Sequence, residues 1–239
     1  MEHYLTDYGY VNIFFVDKDG EAMLSAIREE FTGTNLLEGR YKQFSIGHAF
    51  AKGLDGVAFQ DYTWNEELNE FTAFFSAPVY DGQMLSGVLI IEIPFSHLDE
   101  IMTHRAGMGE TGEMYLVGDD GYMRSNSRFF EEPAILQKEV DTEATREALN
   151  GIVGKKIIKD YRGISVLSAY TALDLKFVNW ALLVEIDEAE AFKAVKTVER
   201  RVRILRFSIG SITILFIYLV YRRKKQQIIA ESLEESNLK

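Results

Sequence analysis

The chain contains no cysteine, which excludes a disulfide framework and any thiolate metal site. Its four histidines, His3, His48, His97 and His104, are scattered. None has a ligand spacing such as HExxH, so no metal site is read from them. The first ten residues hold neither a basic start nor an apolar stretch, and therefore no signal peptide. Proline occurs three times and not at all after Pro133, so no proline breaks a helix in the last hundred residues. Basic side chains are scarce before the C-terminal part. Residues 1–200 carry 18 against 34 acidic ones, a net of −16, which phosphate repels, and this argues against nucleic acid as a partner.

Against these absences stands one apolar run. Arg200, Arg201, Arg203 and Arg206 precede fifteen uncharged residues, Phe207 to Tyr221, and Arg222, Arg223, Lys224 and Lys225 follow. Fifteen helical residues rise about 22 Å, short of the roughly 30 Å hydrocarbon core. Starting at Ile204 gives about 27 Å if Arg206 snorkels to the headgroups. Eleven Ile, Leu, Phe or Val side chains from Ile204 to Val220 outweigh one edge arginine, and Tyr218 and Tyr221 fall where interfacial aromatics are expected. The run reads as a membrane anchor over residues 196–225. Four cations flank it on each side, so the positive-inside rule does not set its orientation. An acidic region without a signal is not exported from this start. The expectation is a chain that begins inside a longer reading frame, the alternative being that residues 1–200 stay cytosolic.

The remaining residues predict an α+β fold. Val11–Val16 is a β-rich run ending in the turn Asp17-Lys18-Asp19-Gly20, and Glu21–Ile27 pairs back. Phe44–Leu54 is a helix with Ser45 as its cap. Val57–Tyr62, Phe71–Tyr80 and Met84–Ile93 are strands, the last two joined by Asp81-Gly82. Pro94 closes the strand and Ser96 opens a short helix to His104. The pattern then begins again, with strands Glu113–Val117 and Tyr122–Ser125 around Gly118–Gly121. A helix at Thr142–Leu149 follows, then strands Lys155–Asp160, Ile164–Thr171 and Val178–Ile186. Asp187, with Glu190 three residues on, opens a helix that continues into the anchor.

Residues echo as well as elements. FFVDKDG (Phe14–Gly20) matches YLVGDDG (Tyr115–Gly121), and LIIEI (Leu89–Ile93) matches LLVEI (Leu182–Ile186). These echoes point to an internal duplication of a unit of about 95 residues.

Here the chain resembles a known family, the double Cache sensors of bacterial transmembrane receptors. The carrying segments are GETGEMYLVGDDGYMRSNSRF (Gly109–Phe129), DYRGISVLSAY (Asp160–Tyr170) and WALLVEIDEAEAF (Trp180–Phe192). Added to them are TNLLEG (Thr34–Gly39), FQDY (Phe59–Tyr62) and SAPVYDGQMLSGVLIIEIP (Ser76–Pro94). The resemblance implies two tandem PAS-like modules with antiparallel sheets, a membrane-distal one over 1–104 and a membrane-proximal one over 105–195. Residues 226–239 would begin a cytoplasmic helical linker, with Ile228, Ile229, Leu233 and Leu238 as its apolar positions. It further implies a small-molecule ligand, a plasma-membrane location with residues 1–200 periplasmic or extracellular, homodimerisation, and no cofactor. Such receptors normally have a first transmembrane helix, a long spine helix and a C-terminal output domain. The chain lacks all three, so it reads as a fragment of a larger receptor whose missing output domain would be a kinase, a cyclase or a chemotaxis module. The alternative is a ligand-free, membrane-tethered scaffold.

Candidate ligand residues come from both halves. In the first, Asp61, Tyr62, Trp64, Phe74 and Tyr80 offer a carboxylate, phenols and an indole at strand ends. Glu92, inside an apolar strand, would pair with a ligand amine, or else it is a carboxylate at a solvent-facing strand end, as the echoing Glu185 suggests. The arginine–tryptophan–tyrosine run of amino-acid-binding members is not visible after Phe59. In the second half, Arg124, Ser125 and Arg128 present two guanidiniums and a hydroxyl to a carboxylate or phosphate. The favoured reading of Arg124 is structural, pairing with Asp119 or Asp160. Arg162, at a hairpin turn, is expected to be exposed. Gly107-x-Gly109-x-x-Gly112 precedes a strand and opens no helix, so it is not a dinucleotide site. No nucleophile–base pair is visible, and these residues are not read as an enzyme.

Overall fold

The computed structural model describes residues 10–66 and 69–237; of residues 174, 194–197, 220 and 226–237 it describes the backbone alone. The sequence readings for residues 1–9 and for Leu238 lie outside the described residues. The described part of the chain up to Glu188 forms one compact unit, and residues 189–237 belong to a second.

The first unit contains two antiparallel sheets. β1 (Asn12–Asp17) buries alternate residues, Asn12, Phe14 and Val16, as a strand with one covered face must. The turn after it is closed by Asp17, whose Oδ1 accepts from the Asp19 and Glu21 amides at 3.0 and 2.8 Å. Gly20 takes the left-handed φ of 90° that a side chain disfavours. β2 (Ala22–Ser25) then returns beside β1. After two short 3₁₀ turns, Glu29–Phe31 and Arg40–Gln43, comes helix α1 (Ser45–Asp55). Its buried residues Ile46, Ala49, Phe50 and Gly53 repeat at helical spacing. Ser45 is the first helical residue rather than the cap, which is Phe44. Gly53 lets the helix lie close on the sheet, since a Cβ there would sit 2.5 Å from Val88 Cγ1. β3 (Ala58–Asn65), β4 (Glu70–Asp81) and β5 (Met84–Pro94) complete a sheet of order β2-β1-β5-β4-β3.

Helix α2 (Phe95–Met102) leads into β6 (Glu113–Val117). Helix α3 (Glu143–Leu149) starts at Thr142, whose side chain caps the Thr145 amide. β7 (Gly154–Lys159), β8 (Ser165–Leu175) and β9 (Val178–Asp187) close a second sheet of order β6-β9-β8-β7. This repeats the order β1-β5-β4-β3 of the first. The register repeats too: Asn12 faces Glu92 as Glu113 faces Glu185.

The expected strand Tyr122–Ser125 does not form. Only isolated bridges join Val117 to Met123 and Tyr122 to Glu139. The reason is divided bonding: the Arg124 amide donates to Leu116, while Met123 exchanges bonds with Lys138 and Leu136. The second sheet therefore has no counterpart of β2.

Two cores lie under the helices, one around Phe14, Phe50, Phe74 and Ile90, the other around Tyr115, Val117, Ala144 and Leu183. A third joins the sheets through Tyr62, Ala73, Phe95, Leu116, Ile135 and Trp180. Ala73 and Phe74 are neighbours on β4 and point to opposite faces, so the first sheet is covered on both sides. Trp180, 5% exposed, stacks on Tyr62 at 6.2 Å and meets Phe59 edge-on at 5.9 Å.

After β9, α4 (Glu188–Ala191) and α5 (Lys193–Asn237) are separated by Phe192, so the helix expected from Asp187 onward is interrupted once. Within α5, Val198–Lys225 is long and apolar enough to cross a membrane. Its Ser208, Ser211 and Thr213 hydroxyls each donate to the carbonyl four residues back, which hides three polar groups in the helix itself.

Trp180→Ala removes the largest side chain of the inter-sheet core and is expected to cost about 3–5 kcal/mol. Thermal unfolding of the variant beside the parent chain measures it.

Candidate functional site

Three stretches of the first half meet over one cavity of about 460 Å³. The connection from β2 to α1 supplies Arg28, Phe31, Arg40, Tyr41 and Phe44, and the helix start adds Ser45 and Ile46. The end of β3 supplies Trp64 and Asn65, followed by Glu66, and the sheet provides the floor with Phe74 and Glu92. The connection is held down by its own buried apolar residues, Phe31, Leu36 and Tyr41. Asn35 shapes it by accepting from the Leu37 and Glu38 amides at 2.8 Å each, an Asx turn. Phe31 and Tyr41 pack ring to ring at 4.3 Å, with Phe44 6.0 Å beyond.

Glu92 is fully buried, against the reading that placed it at a solvent-facing strand end. It is on central strand β5, flanked by Asn12 and Phe74 across the neighbouring strands. The Arg28 guanidinium forms an ion pair with it and Asn65 Nδ2 donates to Oε1 at 3.3 Å. Burial raises the Glu92 pKa above the usual carboxylate range, and Arg28 works against that rise. Arg28 itself lies over the rings of Phe14 and Phe31 at 5.5 and 5.9 Å. Arg40 lies over Tyr41 at 4.5 Å. The cavity thus combines aromatic walls, two guanidiniums and a buried carboxylate. That set suits a small polar ligand with an anionic group and a hydrogen-bond donor.

Of the residues singled out from the sequence, Trp64, Phe74 and Glu92 line this cavity. Tyr62 is elsewhere, in the inter-sheet core. Tyr80, 57% exposed, is near the far end of β4. Asp61 accepts from Arg124 Nε at 2.9 Å. Arg124 is buried and donates besides to both Asp120 carboxylate oxygens, at 3.0 and 2.8 Å, and to the Tyr122 carbonyl at 2.9 Å. The structural reading of this arginine named Asp119 or Asp160; its partners are Asp61 and Asp120, which ties the two sheets together. Ser125 is buried and accepts from the Leu116 amide at 3.1 Å. Arg128 donates to the carbonyls of Gly112 and Gly109. None of these three lines the cavity.

Arg162 also departs from expectation. It is largely covered, with ion pairs to Asp160 at 2.5 Å and Asp187 at 2.7 Å, and its guanidinium is stacked 3.6 Å from the Phe129 ring centre. The sequence reading missed Arg28, Arg40 and Tyr41, because they sit in the connection between β2 and α1 where no periodicity marks the inward face, and Asn65, at the very end of β3. The aromatic pair Tyr41 and Phe44 beside Arg40 was the available signal.

Because Arg124 is buried while its partners are partly exposed, Arg124→Ala is expected to cost about 2 kcal/mol. A double-mutant cycle with Asp61→Ala should return a coupling of roughly 1 kcal/mol in urea unfolding.

The sequence pattern of the Cache domain matches residues 1–195. No curated protein matches the chain. Among solved structures, the extracellular domain of the putative histidine kinase mmHK1S-Z3 is 15% identical, with a TM-score of 0.57 over 82% of this chain and 80% of that one. The ligand-binding domain of Pseudomonas fluorescens chemoreceptor CtaA, in complex with L-leucine, is 13% identical with a TM-score of 0.53, covering 78% and 74%. That of the Pseudomonas aeruginosa PAO1 amino acid chemoreceptor PctB, in complex with L-Arg, is 12% identical with a TM-score of 0.54, covering 79% and 76%. At these identities the likeness is one of fold, whereas the domain match spans most of the chain: the chain belongs to the Cache domain family.

Proposed function

We propose that this chain is the sensory part of a membrane receptor and takes a small molecule in the cavity above Glu92. The observation that carries the reading is the cavity itself, roomy and polar at its floor, in a chain of the Cache family. Two tandem modules, residues 1–104 and 105–195, form the sensor outside the membrane. Residues 196–225 cross the plasma membrane, and 226–239 begin a cytoplasmic linker to an output domain elsewhere in a longer receptor or in a partner. The repeated strand order and register support the two modules, and the apolar helix Val198–Lys225 supports the crossing. The receptor acts as a homodimer, and catalysis, where there is any, belongs to the output domain.

The ligand's anionic group faces the guanidiniums of Arg28 and Arg40, its apolar part packs on Trp64 and Phe44, and a donor group reaches Glu92. Amino acids, the ligands named for the CtaA and PctB domains, are the first compounds to try. The ligand acts only through its different affinity for two states of the sensor.

The test is a thermal-shift screen of small amino and carboxylic acids on the detergent-solubilised chain, followed by calorimetric titration of any hit. A saturable hit is expected to lose roughly tenfold to a hundredfold in affinity in Glu92→Gln and Arg40→Ala, the worth of one charge-assisted hydrogen bond. No saturable hit, or a hit indifferent to both substitutions, overturns the assignment and leaves the ligand-free scaffold.

A further inference from the structure

At the position in the second sheet that Glu92 holds in the first, Glu185 is buried to 2% exposure on β9. Around it, oxygens of Glu113, Asp160 and Glu185 lie within 4.8 Å of one another. The groups facing the cluster come from every neighbouring element. β6 brings Glu113 and Tyr115, the β7–β8 turn brings Asp160, Tyr161 and Arg162, and β9 brings Glu185 and ends in Asp187. Lys138 lies over the outer side of the Tyr161 ring at 5.8 Å. Three carboxyls therefore gather in the cluster, and the Arg162 guanidinium bonds one of them, Asp160, together with Asp187 at its edge.

Two observations show where the excess charge goes. First, Glu113, Ser127 and Tyr161 form a closed ring of short oxygen contacts. Glu113 Oε2 is 2.8 Å from Ser127 Oγ, Ser127 Oγ is 2.7 Å from the Tyr161 hydroxyl, and that hydroxyl is 2.6 Å from Glu113 Oε1. Three hydrogen bonds need three hydrogens, and the two hydroxyls supply only two. A proton on the Glu113 carboxyl supplies the third and closes the ring. Second, Glu185 Oε2 accepts from Tyr115 at 2.9 Å, but Oε1 is buried without a partner. So is the hydroxyl of Ser168, fully buried and directly across from Glu185 on β8. A proton on the Glu185 carboxyl removes the charge from this oxygen and lets it donate to the Ser168 oxygen or accept from its hydroxyl. A charged oxygen left there would bear the full cost of desolvation.

We propose that this cluster is a second sensory site whose ligand is the proton, held on the Glu113 and Glu185 carboxyls. A divalent ion fits less well, since both oxygens of Glu113 are engaged in the ring and both of Asp160 already accept hydrogen bonds. Burial, the dominant cause, also raises both acids, Glu185 to about 7. Loss of the proton leaves Glu185 charged beside Glu113 and Asp160, where β9 gives way to the chain that leads to α5. The site does not depend on the distal cavity.

The sign follows from the raised values. The folded state holds protons that the unfolded chain releases near its ordinary carboxylate pKa, so stability is full in acid and falls as pH rises through about 7. The test is urea unfolding of the full chain in detergent at about pH 5 and pH 8, with 1 mM EDTA or added Ca²⁺ or Mg²⁺ as the metal arms (concentrations of order 1 mM). The folded-to-unfolded ratio of the parent should fall roughly fifty- to a hundredfold between the two pH values, from the Glu185 proton alone. Glu185→Gln and Glu113→Gln each place a neutral amide with its own donor at the site. Each should flatten this dependence and leave the chain more stable than the parent at the higher pH. The second variant stands in if the first does not fold. A parent indifferent to pH, variants weakened equally at both pH values, or a dependence abolished by Ca²⁺ or Mg²⁺ would each overturn the proton assignment. Infrared spectra that show no protonated carboxyl lost with either substitution would do the same.

Discussion

Each sheet buries a glutamate near the end of its second-from-edge or central strand, and a buried carboxyl must be neutralised or surrounded by donors. Much of the polar architecture follows from how this is done at Glu92 and Glu185. In the first sheet the connection between β2 and α1 swings a guanidinium, Arg28, onto the acid and in doing so leaves a roofed space beside it. In the second sheet hydroxyls from Tyr115, Ser127 and Tyr161 pack onto the acids instead. One repeated strand pattern therefore carries two different solutions to the same electrostatic problem. The first suits a molecule of some size, and the second suits the smallest cation.

Strands such as β1 and helix α1 were legible because one face of each is buried, so alternation and helical spacing were written into the apolar residues. Glu113–Val117 agrees to the residue. Even the register could be read, since the echo of LIIEI in LLVEI aligns Glu92 with Glu185. What failed was reading the environment of that acid from its neighbours in sequence. An acid in an apolar strand looks the same whether the strand end is wet or dry, and burial here is set by segments far away, with Arg28 on one and Tyr115 on the other. The false strand at Tyr122–Ser125 has a similar origin. Its alternating residues suit a strand, but the chain from Ala134 to Val140 takes half of its backbone bonds. The exposed-turn reading of Arg162 failed because a hairpin tip is exposed only when nothing packs on it, and Phe129 and Asp187 do.

The two sheets depend on each other through a small set of side chains. Trp180 of β9 enters an aromatic group supplied by Phe59 and Tyr62 of β3, while Arg124 reaches Asp61 of the same strand, and Asn126 bonds Asp99 of α2 through its amide and side chain at 3.1 and 3.0 Å. Most of these contacts converge on one strand. β3 is the last in its sheet, with β4 as its neighbour.

That strand is also not straight. Its pairing with β4 slips between Gln60 and Thr63, so Asp61 and Tyr62 occupy a bulge, the irregularity that bends a strand and re-aims its side chains. On one side of the bend are Trp64 and Asn65, at the cavity; at the bend itself are the residues that hold the second sheet. An edge strand with a joint in it is a lever. A pull on its tip at the cavity would reach the four-stranded sheet through Tyr62 at the bend and the ring of Trp180 stacked on it.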